Sequence, residues 1–130
     1  MPATKDTQTL TAKISPVFGD EFEVAATLPH KRPSLRERNR IPISLHLSKV
    51  GNNAPLGCYV YTIVDSRTGK VYQTLLNNSE EQLVDMTRKI GGLVSKKFSV
   101  PTYISMSGDW SLEDMVTTVK EVVKFVDESF

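Results

Sequence analysis

The stretch "IPISLHLSKV", residues 41–50, sets the class of this fold because apolar and polar side chains alternate along it. Ile43, Leu45 and Leu47 point to one side of an extended chain, and serine and histidine side chains point to the other. A period of two over this length is typical of a β-strand with one buried and one open side. We therefore predict a half-buried strand here.

The segments that follow predict an antiparallel hairpin. "GCYVYTIV", residues 57–64, is apolar on both of its sides, and "DSRTG", residues 65–69, supplies a short turn in which Gly69 can adopt a positive φ. "KVYQTLL", residues 70–76, returns as the second strand of the hairpin. Two further strands are predicted from alternating patterns at residues 21–28 and 100–108.

Apolar residues at helical spacing predict two amphipathic helices. The first begins near "NNSEEQ", residues 77–82, where Ser79 and Gln82 have the spacing of a capping box. The glycine pair at residues 91–92 interrupts it, at a cost of up to about 1 kcal/mol per glycine relative to alanine. We therefore expect the helix to approach a strand closely at this point. The second helix follows "DWSLED", residues 109–114, with valines on one side and charges on the other.

Together these elements indicate a single α+β domain. In chain order they are β-β-β-β-α-β-α, which gives a mainly antiparallel β-sheet with two amphipathic α-helices. A chain of 130 residues can bury one core but not two. Residues 1–20 are polar and predict a flexible N-terminal arm, while residues 21–130 form the domain. Within it, residues 29–40 form a basic connector.

Two helices are few for a sheet whose strands carry large side chains on both sides. Either one helix packs on each side, or both pack on one side and a second polypeptide covers the other. Tyrosine suits such an interface because its ring can be buried while its hydroxyl stays hydrogen-bonded. An ordinary core with half-exposed aromatic side chains explains the same pattern. The residues concerned, here called the tyrosine face, are Tyr59, Tyr61, Ile63, Tyr72, Leu76 and Tyr103.

The composition is that of an ordinary soluble domain. Hydrophobic residues make up 39% of the chain and charged residues 24%, and no apolar run approaches the length of a membrane span. The first ten residues lack the features of a secretory signal. The single cysteine, Cys58, permits no internal disulfide, which fits a reducing compartment. We expect a protein of the cytoplasm or nucleus that has no membrane partner.

Positive charge is concentrated in the connector, where residues 30–40 read "HKRPSLRERNR" with Glu37 as the one acidic residue. The stretch is either a solvated loop or a binding segment. Arginine's rigid fork suits carboxylates at protein interfaces, so an acidic protein surface is the favoured partner. Nucleic acid is the weaker alternative because no aromatic residues are interleaved with the arginines. The basic residues are Lys31, Arg32, Arg36, Arg38 and Arg40.

No catalytic or cofactor site emerges from the sequence. Cys58 falls inside a predicted strand, where a buried small side chain is the default, and His46 on a polar strand face is expected to be solvated. His30 and His46 do not have the spacing of metal ligands. The glycine-containing segments lack the spacing of phosphate-binding loops. We therefore expect neither enzymatic activity, nor a metal, nor a cofactor.

Four segments together carry a family resemblance over residues 28–127: "IPISLHLSKVGNNAPLGCYVYTIV", "KVYQTLLNN", "MTRKIGGLVSKKF" and "VPTYISMSGDWSLEDMVTTVKEVVKFV". This succession resembles the small proteasome assembly chaperones, most closely the chaperone 4 branch, whose members pair with chaperone 3. The chain departs from the pattern in its extension through residue 27 and in the arginine density of the connector.

The resemblance implies a non-enzymatic heterodimer of two similarly folded α+β subunits. Such a pair binds alpha subunits of the proteasome core particle, notably alpha-five, and promotes ordered ring formation. The family contributes no catalytic positions. From the residues themselves, we expect the tyrosine face to meet the related subunit and the basic connector to meet an alpha subunit. The alternative is a nucleic-acid or ribonucleoprotein accessory module that uses the connector.

Overall fold

Within the residues that it describes, the computed structural model has six strands and two α-helices in the order β-β-β-β-β-α-β-α. The residues it describes are 7–16, 21–30, 33, 41–49, 56–65, 67–79, 81–108, 110 and 115–130. The elements are β1 (Thr7–Ile14), β2 (Phe22–Pro29), β3 (Ile43–Lys49), β4 (Leu56–Val64), β5 (Val71–Asn78), α1 (Val84–Phe98), β6 (Thr102–Ser107) and α2 (Met115–Glu128). The predicted α+β class with a mainly antiparallel sheet is confirmed.

All six strands belong to one sheet, in the order β1-β2-β3-β6-β4-β5. The β3–β6 pair is parallel, and every other neighbouring pair is antiparallel. A parallel pair cannot be joined by a tight turn. Here β4, β5 and α1 form the connection, so β6 enters the centre of the sheet after five strands have been made.

The predicted flexible arm is wrong for Thr7–Ile14, which forms β1, and the chain therefore has five strands before α1 instead of four. β1 pairs along its whole length with β2, from Thr7 opposite Pro29 to Ile14 opposite Phe22. Leu10 and Ile14 pack against the core, while the residues between them are polar or small. Pairing with β2 orders a segment whose own apolar content is low.

Both helices cover the same side of the sheet. On the four inner strands, buried side chains largely alternate with less buried ones, whereas on β1 and β5 half-buried side chains alternate with exposed ones over most of the strand. The buried set forms one cluster with residues of α1 and α2. α1 packs against β4, β5 and β6. α2 buries Val119, Val122 and Val126 in the same cluster, and its C-terminal end meets β1, where Gln8 Nε2 donates a hydrogen bond to Ser129 O over 3.5 Å. Of the two arrangements predicted, the structure has the one that leaves a side of the sheet open.

Close approach of α1 to β4 explains the first glycine of the predicted pair. A Cβ atom on Gly91 would lie 2.6 Å from Thr62 Oγ1, whereas one on Gly92 would meet Gln73 Nε2 at 3.8 Å. Thr62 itself is buried and accepts a hydrogen bond from Gln73 Nε2 over 3.0 Å. The expected approach is therefore confirmed at Gly91, while a Cβ on Gly92 would make only an ordinary van der Waals contact.

The predicted capping box at Ser79 does not form. Its backbone N–H and its hydroxyl both donate to Asn77 Oδ1, over 3.2 and 3.1 Å, and a short 3₁₀ turn at Glu81–Leu83 leads into α1. An asparagine side chain that closes a local turn competes with a helix cap for the same donor. The predicted start of the second helix, at residues 111–114, lies outside the described residues.

Candidate functional site

The side of the sheet that the described helices leave uncovered brings together the whole predicted tyrosine face. β4 contributes Tyr59, Tyr61 and Ile63, and the register sets Tyr61 beside Tyr103 of β6 and Ile63 beside Tyr72 of β5. Leu76 follows on β5, where exposure alternates from Val71 to Asn77. The six side chains therefore extend over three neighbouring strands.

The aromatic side chains of this surface pack against one another. The ring centroids of Tyr61 and Tyr103 are 4.6 Å apart, and those of Tyr59 and Tyr103 are 6.1 Å apart. These three tyrosines are half-buried, whereas Ile63, Tyr72 and Leu76 are 41%, 49% and 50% exposed. Rings held by their neighbours lose little freedom on binding, and tyrosine is enriched at protein interfaces. The arrangement is suited to an apolar protein surface.

The other half of the open side, on β1, β2 and β3, is polar. Small and hydroxyl side chains dominate there, and two shallow depressions of about 350 and 210 Å³ lie among them. Lys13 and Glu23 line the larger one, opposite each other in the β1–β2 register. The sequence prediction missed the β1 part because it assigned residues 1–20 to an arm. The polar side chains are Thr9, Thr11, Lys13, Glu23, Thr27, Ser44, His46 and Ser48.

His46 lies between the two halves and lines both depressions. A hydrogen bond of 2.7 Å joins its Nδ1 to Ser105 Oγ on β6. Burial lowers the pKa of His46 below its ordinary value, because the charged imidazolium loses hydration. The predicted solvated histidine is therefore a half-buried, hydrogen-bonded one.

A thiol–imidazole pair between Cys58 and His46 does not exist in this arrangement. Cys58 is fully buried on the helix side of β4, whereas His46 lies on the open side of the sheet. Among the described residues, no group of three His, Cys, Asp or Glu side chains gathers as metal ligands do. Neither of the helices, within the described ranges, has the length and apolarity needed to span a bilayer.

The basic connector cannot be placed on this surface. Its predicted binding residues Lys31, Arg32, Arg36, Arg38 and Arg40 lie outside the described residues. Both the acidic-surface hypothesis and the nucleic-acid alternative for this segment therefore stay predictions. The chain enters the connector after β2 and leaves it before β3, where Ile43 N donates to Pro101 O over 3.0 Å.

Comparison with solved structures supports the fold. A chain in the crystal structure of a chaperone complex for yeast 20S proteasome assembly superposes with a TM-score of 0.80 and 23% sequence identity. The match covers 95% of this chain and 98% of that chain. At this identity the likeness establishes a shared fold.

Sequence comparison identifies the family. No curated protein sequence matches this chain. The family model that describes the 20S proteasome chaperone assembly proteins 3 and 4 matches residues 1–127, which confirms the resemblance found in the strand and helix segments. With nearly its whole length matched, the chain belongs to the family of 20S proteasome chaperone assembly proteins 3 and 4.

Proposed function

We propose that this chain is one subunit of a non-enzymatic assembly chaperone that works as a heterodimer. Its partner is a related small chaperone subunit, and this chain takes the place of chaperone 4 beside a subunit like chaperone 3. The pair binds proteasome alpha subunits, notably alpha-five, and promotes assembly of the alpha ring of the core particle. It acts in the cytoplasm or the nucleus and needs no cofactor.

The observation that carries this proposal is the uncovered tyrosine face. Half-exposed aromatic and aliphatic side chains lie side by side on three strands, and no described helix packs against them. Contiguous apolar patches larger than about a few hundred Å² usually mark interaction sites. A second sheet of similar shape can cover such a surface, since sheets pack face to face about 10 Å apart with interdigitating side chains.

Family membership supports the choice of partner. The chain of similar fold was crystallised as part of a chaperone complex for yeast 20S proteasome assembly. The polar half of the open side supplies hydrogen-bonding groups beside the apolar half, as part of the rim of a protein interface does. A subunit of the same fold presents a comparable sheet, so the two open sides can cover each other.

The contribution to ring assembly follows from association entropy. Each free subunit that joins a ring loses translational and rotational freedom, a cost of roughly 4–15 kcal/mol in different models. A chaperone pair can hold an alpha subunit in the orientation that it has in the ring. Part of the loss of translational and rotational freedom then occurs before the ring closes. The basic connector is the proposed contact with an acidic surface of that subunit, through arginine–carboxylate pairs.

Affinity purification of the tagged chain from its own cells, at moderate salt, tests the proposal. The double variant Tyr72→Lys with Leu76→Lys places two charges on exposed positions of the tyrosine face, and Val116→Lys is its control on α2, at a side chain that is 72% exposed. We expect the wild type and the control to recover a related small subunit and alpha subunits. The double variant should recover neither, because lysine ammonium groups cannot be desolvated against an apolar partner.

Two results would contradict the proposal. The first is equal recovery of the small subunit by the double variant and the control. The second is recovery of RNA in place of proteasome subunits, which would favour the nucleic-acid alternative.

A further inference from the structure

We propose that the outer surface of α1 is a second binding surface, which takes an acidic segment of the client alpha subunit that carries an apolar side chain. This inference rests on the proposed function and names the chemistry by which the pair would recognise its client. The surface, here called the lysine–leucine patch, consists of Lys89, Leu93 and Lys96.

The patch has the spacing of one helical face. Residues 89, 93 and 96 follow at intervals of four and three, so their side chains lie next to each other along α1. Leu93 is 42% exposed, whereas the other large apolar residues of the helix body, Met86, Ile90, Val94 and Phe98, are buried to within 1%. The core of the domain is therefore complete without Leu93.

The charge of α1 differs from that of its neighbouring helix. The exposed charged side chains of α1 are Arg88, Lys89, Lys96 and Lys97 against the single acid Asp85. On α2, Lys120 and Lys124 stand against three acids, which are Glu121, Asp127 and Glu128. Of the two described helices, α1 therefore carries the net positive charge, which attracts an oppositely charged surface.

The charged members of the patch are available for such a partner. Lys97 lies 4.0 Å from Asp127 of α2, an exposed pair that contributes little. Among the described residues, no ion pair engages Lys89 or Lys96. Their ammonium groups can approach carboxylates while Leu93 between them contacts an aliphatic or aromatic side chain.

The patch lies on the layer of the domain opposite to the tyrosine face. A partner subunit on the open side of the sheet would leave it exposed, so both can be occupied at once. α1 also ends near the start of β3, the strand that follows the connector. Pro101 lies three residues after the last residue of α1, and its carbonyl accepts a hydrogen bond from Ile43 N. The exposed charge of α1 and the sequence of the connector have the same sign, and both require an acidic partner.

The experiment compares two matched charge reversals in the complete pair. Lys89→Glu with Lys96→Glu reverses the patch, and Lys120→Glu with Lys124→Glu makes the same change in charge on α2. Each pair of variants is purified from cells through its tag, and recoveries of the small subunit and of alpha subunits are measured separately. The patch variant should recover the small subunit normally and alpha subunits on the order of tenfold less, because opposite-charge attraction becomes repulsion.

Leu93→Gln is the second variant, because it leaves the charge unchanged. It should also lower alpha-subunit recovery several-fold, by removing the apolar contact at an exposed site where the fold does not depend on it. Raising the salt concentration should weaken alpha-subunit binding of the wild type more than that of the patch variant.

The outcomes separate the two proposals. Equal alpha-subunit recovery by the patch variant and the wild type would overturn this inference alone, and so would an equal loss in the α2 control. A wild-type chain that recovers no small subunit and no alpha subunits would overturn the proposed function and this inference with it. Recovery of RNA that the patch variant abolishes would replace the acidic protein segment with nucleic acid and so overturn the inference.

Discussion

Gly91 is the residue at which the contact between helix and sheet depends most directly on the absence of a side chain. We predict that Gly91→Ala destabilises the domain by about 1–3 kcal/mol, because its Cβ would force α1 away from Thr62. Urea unfolding measures the change. Gly92→Ala is the control, and its added Cβ has only an ordinary contact with Gln73. There alanine should be neutral or stabilising by up to about 1 kcal/mol. A Gly91→Ala domain as stable as Gly92→Ala would contradict the close approach.

His46 predicts a pH dependence whose sign follows from its surroundings. Because burial lowers its pKa in the folded chain, the unfolded chain binds a proton first as the pH falls. The stabilising contribution is complete above the ordinary histidine pKa of about 6.5 and is lost as the pH falls through the lower folded value. Lys13 and Glu23 are the charged side chains that line the same depression.

Comparison with His46→Gln isolates this contribution, since the other titrating groups are common to both proteins. Between about pH 7.5 and pH 5.5, the free energy of unfolding should fall more for the wild type than for the variant. Urea titrations at several pH values provide the measurement. Parallel pH profiles for the two proteins would show that the ring is not desolvated in the folded chain.

An element could be predicted from the sequence where its pattern of apolar residues matches the side that is buried in the structure. β3 shows clean alternation because one of its sides is buried, and α1 and α2 show helical periodicity because each has one apolar stripe. β1 was missed because it is an edge strand whose core side, Leu10, Ala12 and Ile14, is only half-buried. Its order depends on β2, and such pairing leaves a weak trace in the sequence.

The candidate site was predicted in its residues but not in its placement. Alternation showed that Tyr59, Tyr61 and Ile63 share a side of β4, and the hairpin placed Tyr72 beside them. Periodicity within an element does not determine which side of a sheet a helix will cover, because both sides of β4 are apolar. The connector's arginines remain a prediction, and the lysine–leucine patch was not recognised because lysines near a helix end are also explained by the helix dipole.

At the scale of the whole molecule, the domain is one covered sheet with one bare side, and the isolated chain should therefore self-associate. We predict concentration-dependent oligomers of the purified chain in sedimentation velocity, formed through the tyrosine face. Tyr72→Lys with Leu76→Lys should shift the chain towards monomer, and Val116→Lys should not. If the folded wild-type protein is monomeric at every concentration, the prediction that the open side of the sheet binds a second copy is contradicted.

The central position of β6 also governs the order in which the domain can be completed. Until Thr102–Ser107 has left the ribosome, β1–β3 and the β4–β5 hairpin are two half-sheets, each with an unpaired inner edge. Unpaired edges are templates for wrong pairing. A transcript that ends before codon 102 would therefore yield a chain with two separate half-sheets, each with an edge open to wrong pairing, instead of a smaller domain. Nascent-chain quality control would have to remove them, because trimming the C-terminal quarter of this protein removes the strand that joins its halves.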